Sequence, residues 1–198
     1  MALSPARLAL LKHKSGLSQL ENDAFMYTLL WGTVTLLGDP FVLSFLILGL
    51  VWLYFIVKEK YAVAKPFQRH RKILRKFIMV AIPSLAIVFA GSEVLKLLFQ
   101  IPRPCIPCPA EGCNLYCPPT FSFPSGHVST ITAAVTAFCL ISRKRKYLAF
   151  FSLTVLVALS RILLYVHTIT DVVAGFLFGA AVTLVVWRFR ERLPGWKE

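Results

Sequence analysis

The stretch FIMVAIPSLAIVFAGSEVLKLLF, Phe77–Phe99, decides the fold. It exceeds the ~20 mostly apolar residues that a helix needs to cross a bilayer. Its only charges are Glu93 and Lys96, both near its end. Ionisable groups inside such a run are costly and are kept for pairing or function. Glu93 and Lys96 lie three residues apart on one helix face, so Glu93 is expected to pair with Lys96 and lower the cost of burying it.

Four further apolar runs flank this one: Phe41–Val57, His127–Ile141, Tyr147–Val166 and Val172–Trp187. Together they predict an all-α polytopic membrane helix bundle with about five transmembrane helices, read as one domain over residues 1–198. The His127–Ile141 run is the shortest. Before the first run, Asn22 and Asp23 precede an apolar stretch, Ala24–Leu37, that is too short to span comfortably. An N-terminal interfacial amphipathic helix within Leu17–Gly38 is expected there. At 57% hydrophobic residues and a mean hydropathy of +0.69, the 198-residue chain has more apolar surface than a soluble domain of its size buries. Met1–His13 has neither the apolar core nor the small-residue cleavage site of a secretory signal.

The net charge of +13 does not point to nucleic acid, because the cations sit in short clusters between apolar runs and not on one soluble face. Lys58–Lys76 holds eight Lys or Arg, Arg143–Lys146 four and Arg188–Lys197 four, so that sixteen of the 22 fall on one side if five helices alternate. That side is expected to be cytoplasmic, with its cations against anionic lipid headgroups. Arg7, Lys12 and Lys14 run against the pattern on the other side.

The same alternation brings Lys96, Arg103, His127, Arg161, His167 and Asp171 toward the non-cytoplasmic face. Three cations, two imidazoles and a carboxylate suit a phosphoryl group, whose transfer needs mainly positioning and neutralised charge. Lys96, Arg103 and Arg161 would bind its oxygens. Pro124-Ser125-Gly126-His127 reads as a helix start, with Ser125 at the N-cap and Gly126 allowing close backbone approach to an anion. His167 and Asp171, four apart, share a face if a helix begins by His167. The carboxylate would then fix the ring tautomer and leave the other nitrogen to attack phosphorus, with His127 as general acid.

In order and spacing these residues resemble the signature of the type 2 phosphatidic-acid phosphatase superfamily. Six residues separate Lys96 from Arg103-Pro104, Pro124-Ser125-Gly126-His127 follows, and five residues separate Ser160-Arg161 from His167, with three more before Asp171. The resemblance implies that His167 forms a phosphohistidine, Asp171 orients it, and His127 protonates the departing oxygen. It also implies that Lys96, Arg103, Arg161, Ser125 and Gly126 hold the phosphate. The implied activity is metal-independent hydrolysis of a membrane lipid phosphate or diphosphate, such as undecaprenyl diphosphate, in the plasma (inner) membrane of a cell with an envelope. Phosphatidylglycerophosphate, phosphatidic acid and lipid A 1-phosphate fit the same residues. Transfer of the phosphoryl group to an alcohol, or a lipid-binding protein without catalysis, are the alternatives.

No cofactor is expected: Asp171 is the one carboxylate near the histidines, whereas hard cations gather several oxygen ligands. Cys105, Cys108, Cys113 and Cys117 crowd one Pro-rich loop in the pattern Cys-x2-Cys-x4-Cys-x3-Cys. The pattern allows a structural zinc site or two disulfides in any of three pairings. Cys139 reads as a small buried apolar residue.

Overall fold

The computed structural model describes residues 26–27, 29–60, 65–106, 117–143, 145–193 and 196, with side chains from 57 to 71 excepted. Its elements are α1 (Leu29–Gly38, closing in a 3-10 turn), α2 (Pro40–Lys60), α3 (Lys65–Phe99), α4 (Gly126–Ser142), α5 (Phe151–Leu163, after a 3-10 turn at Arg145–Phe150) and α6 (Ile169–Arg188). No strand occurs among the described residues. The fold is all-α, as expected, and the protein is an integral membrane protein.

Local chemistry sets the helix ends. Asp39 starts α2, its Oδ1 accepting the N–H groups of Phe41 (2.8 Å) and Val42 (3.0 Å), while Pro40 occupies the first helical position, where no N–H is needed. The chain bends by 52° at this elbow, so that α1 and α2 can form one broken span. The N-terminal half of the anticipated interfacial helix, and Arg7, Lys12 and Lys14, lie outside the described residues. α3 ends at Gln100, in the left-handed region at φ 48°, whose N–H bonds the Lys96 carbonyl. α5 ends earlier than hydropathy predicts, because Leu164–His167 forms a turn with Tyr165 at φ 57°. α6 begins earlier, because Thr168 and Asp171 make a reciprocal capping box.

α3, the 3-10 turn with α5, and α6 are each long and apolar enough to cross a bilayer. At about 1.5 Å per residue α4 reaches only ~25 Å, against a hydrocarbon thickness of about 30 Å. Its place in the bundle removes the difficulty: α4 packs against α2, α3, α5 and α6, and Val128–Ala133 and Val135–Ala137 are buried. Hydroxyls on α4 return to the helix's own backbone, as in Ser129 to Ser125 O (2.9 Å), Thr130 to Gly126 O (2.7 Å) and Thr132 to Val128 O (2.6 Å). α4 meets α6 across glycine. A Cβ on Gly175 would stand 2.7 Å from the Ser125 carbonyl oxygen, and one on Gly179 would overlap the Ser129 carbonyl. Close backbone approach over small residues is how helices pack where lipid removes the hydrophobic drive between them. The outer surface is correspondingly apolar, with Phe41, Phe45 and Trp52 of α2 about two-thirds exposed or more.

Candidate active site

The C-terminal ends of α3 and α5, the N-terminal ends of α4 and α6, and the α1–α2 elbow converge at one end of the bundle. Backbone ties hold them in register, since Ser125 N–H donates to Asp171 O (3.0 Å) and His167 N–H to Arg161 O (3.3 Å).

Arg103 is buried and its guanidinium is fully engaged. Nε donates to Thr120 O (2.8 Å), Nη2 to Thr120 Oγ1 (2.9 Å), and Nη1 to Val166 O (3.2 Å) and His167 Nε2 (3.1 Å). A guanidinium only donates, so Nε2 of His167 must be the acceptor and the neutral ring carries its proton on Nδ1. That nitrogen lies 3.5 Å from Asp171 Oδ2, at the outer limit of a hydrogen bond. Burial brings the His167 pKa down to about 4; Asp171 opposes the fall, and Arg103 and Arg161 add to it. The ring is therefore neutral at physiological pH.

Asp171 is itself 1% exposed. Its Oδ2 accepts the Thr168 N–H (2.8 Å), and its own N–H donates to Thr168 Oγ1 (3.3 Å). The condition for His167 and Asp171 to share a helix face, a helix beginning by His167, is not met. Thr168 caps α6, so His167 precedes the helix, and the two side chains meet because the capping carboxylate turns back over the N-terminus.

Arg161 is buried on α5 and donates through Nη1 to Thr35 Oγ1 (2.7 Å) on α1. Lys96 pairs with Glu93 (2.6 Å) as anticipated, and its Nζ lies 3.8 Å from where a Cβ on Gly126 would stand. Ser125 occupies the N-cap position of α4, but its side chain makes no cap bond; the hydroxyl is wholly buried without a partner among the described residues. Ser160 turns its hydroxyl to Val157 O (2.7 Å), away from this cluster.

His127 Nε2 lies 3.6 Å from Asp39 Oδ2. The two residues line a cavity of about 270 Å³ with Ser92, Glu93, Lys96 and Gly126. Through Pro40, Phe41, Phe89 and Thr130 this cavity adjoins an apolar groove of about 350 Å³ between α2 and α3.

Cys105 and Cys117 form a disulfide, packed with Trp31, Leu164 and Val166. With both sulfurs in that bond the four-cysteine zinc alternative gives way; Cys108 and Cys113 lie outside the described residues. Cys139 is half-buried at the edge of the core around Val128, Val135 and Val157, its sulfur 3.2 Å from the Tyr147 carbonyl oxygen.

Sequence reading missed Thr35, Asp39, Thr120 and Thr168. Two of these carried a local signal: Asp39-Pro40 is a helix start, and Thr168-x-x-Asp171 a capping box. Thr35 and Thr120 are brought to the arginines by tertiary folding alone.

Comparison with known proteins bears on the fold and the family. The phosphatidylglycerophosphatase B of Bacillus subtilis (strain 168) is 33% identical over 89 residues, which is 40% of this chain and 44% of that protein, so the match spans less than half of the relative's length. The crystal structure of a transmembrane PAP2-type phosphatidylglycerolphosphate phosphatase from Bacillus subtilis superposes with a TM-score of 0.57 at 22% identity. It covers 91% of this chain and 89% of that one, and at such identity it bears on the fold. Residues 77–194, which run from the start of the Phe77–Phe99 span past α6, match the PAP2 superfamily, and the chain belongs to that family.

Proposed function

We propose that the protein is a metal-independent lipid phosphatase. One observation carries the reading: a cavity lined by His127, Lys96, Asp39 and Glu93, at the end of the bundle where His167, Arg103 and Arg161 act on His127, shares Pro40, Phe41, Phe89 and Thr130 with an apolar groove open between α2 and α3. Such a site accepts a charged headgroup while its hydrocarbon chain stays in the bilayer.

The proposed chemistry runs in two displacements. The Nε2 lone pair of His167 attacks phosphorus, the bond to the lipid oxygen breaks, and His127 gives that oxygen a proton. Water then attacks the phosphohistidine, giving its proton to His127, and the P–N bond breaks to release phosphate and neutral His167. Asp171 holds Nδ1–H and stabilises the charge that the ring acquires. Lys96, Arg103 and Arg161, with the unpartnered Ser125 hydroxyl and the Gly126 N–H at the start of α4, bind the equatorial oxygens. Arg103 must exchange His167 Nε2 for a phosphate oxygen when substrate binds, which frees the attacking lone pair.

Of the candidate lipids we favour phosphatidylglycerophosphate over undecaprenyl diphosphate as the substrate, a choice that the name of the Bacillus relative supports. The reading puts the site on the non-cytoplasmic face of a plasma membrane, with the basic loops against anionic headgroups on the other. Phosphate release from purified phosphatidylglycerophosphate, undecaprenyl diphosphate, phosphatidic acid and lipid A 1-phosphate in detergent is the test. His167→Ala should lower the rate on the preferred lipid by several orders of magnitude. An undiminished rate in that variant overturns the proposal.

A further inference from the structure

The α1–α2 elbow lies outside the three signature blocks, yet it is pressed into the site. The backbone at Gly38 comes so close to α4 that a Cβ there would stand 2.7 Å from the His127 carbonyl oxygen. One residue on, Asp39 divides its carboxylate between two tasks. Oδ1 caps α2, and Oδ2 faces His127 Nε2 at 3.6 Å, with both side chains about one-fifth exposed.

From this juxtaposition we infer that Asp39 is the positioning residue of the general acid, holding the His127 ring and supplying the negative charge that its protonated form requires. The inference rests on the lipid-phosphatase reading. The charged and titratable groups acting on His127 from the other elements are Lys96 on α3, Arg103 on the following loop, Arg161 on α5 and His167 before α6. The cations among them oppose an imidazolium. Glu93 is bound to Lys96, and Asp171 faces His167. Among the described residues Asp39 is left as the carboxylate that faces His127, and an opposite charge at such a distance favours the charged form.

The site thus holds two carboxylate–imidazole pairs with opposite duties. Asp171 serves a ring that must be neutral to attack, and Asp39 a ring that must be protonated to donate. As the P–O bond breaks, the proton passes from His127 to the departing oxygen and the ring becomes neutral. The ring regains a proton from the water that cleaves the phosphohistidine. Asp39 takes no part in the proton transfer itself, so its effect holds whichever ring nitrogen passes the proton on.

Asp39→Asn separates the two tasks, because Asn caps a helix about as well as Asp but carries no charge. The experiment compares the full-length wild type and this variant on phosphatidic acid, whose alkoxide leaves only with a proton, and on p-nitrophenyl phosphate, whose phenolate leaves unaided. In Asp39→Asn the alkaline limb of kcat/KM for phosphatidic acid should move down by about one pH unit. The rate on that ester near neutral pH should fall roughly tenfold, and that on the aryl ester far less. The ratio of the two rates is taken on one sample, so it does not depend on how much of the variant folds. An unmoved limb, or an equal fall on both esters, overturns the inference and leaves Asp39 as a helix cap. Release by the wild type from neither ester nor any of the four lipids above, or release that survives His167→Ala, overturns the phosphatase reading and the Asp39 inference with it.

Discussion

His167 has a charged group at each ring nitrogen, the Arg103 guanidinium 3.1 Å from Nε2 and the Asp171 carboxylate 3.5 Å from Nδ1. The low pKa of about 4 is the balance of burial and the two arginines against Asp171, and its sign can be tested. A group that must be neutral to react loses activity as pH falls through its pKa, so the acid limb of kcat/KM should lie well below the ordinary histidine value near 6.5. Removing a nearby cation raises the pKa, and Arg103→Gln should therefore move the acid limb upward. Titration of the substrate is common to both proteins and cancels in the comparison. A downward shift would show that Arg103 does not act on the ring. Such pairings were legible where residues lie close in sequence, as with Glu93 and Lys96. The bond from Arg161 to Thr35 and the approach of Asp39 to His127 join positions roughly ninety or more apart, and no local spacing announces them.

At the scale of elements, five apolar runs foretold α2 to α6, but hydropathy misplaced the ends that matter most. It reads Thr168 and Asp171 as loop because they are polar, whereas together they make the first turn of α6 and bring His167 back over it. What fixes the two histidines relative to each other is the α4–α6 contact. Gly179 allows the α6 backbone against the Ser129 carbonyl, one turn beyond the Ser125–His127 segment. That carbonyl belongs to a buried helix and has little room to yield, so Gly179→Ala should destabilise by about 1–3 kcal/mol through overpacking. The rate constant should also fall, as the start of α4 shifts away from His167. Gly49 on α2 has nothing within 4 Å of an added Cβ, so Gly49→Ala serves as the control. Thermal melts in detergent with parallel rate assays check both effects; equal behaviour of the two variants would remove this contact from the account.

Across the whole molecule, two independent chemistries bear on the side proposed for the site. Among the described residues, Arg143, Arg145 and Lys146, Arg188, Arg190 and Arg192, and the cations just before Phe77 fall at the ends of the helices remote from His127 and His167. Lys76 and Arg190 both lie over the Trp196 ring, at 4.9 and 5.8 Å, which joins the start of the α3 span to the segment after α6. Cations in short loops are retained on the cytoplasmic side. At the opposite end, Cys105 and Cys117 form a disulfide two residues beyond Arg103 and three before Thr120, and disulfides persist in oxidising compartments outside the cytoplasm. Charge counting foretold the first of these, but the cysteine pattern alone left zinc and three pairings open, because connectivity depends on where the fold carries each sulfur. The two arguments share one test. Treating intact cells with an impermeant reductant and then an impermeant maleimide should label Cys105 and Cys117, whereas a cysteine introduced as Arg145→Cys should react only after the membrane is opened. The reverse pattern would turn the whole bundle over and place phosphate release in the cytoplasm.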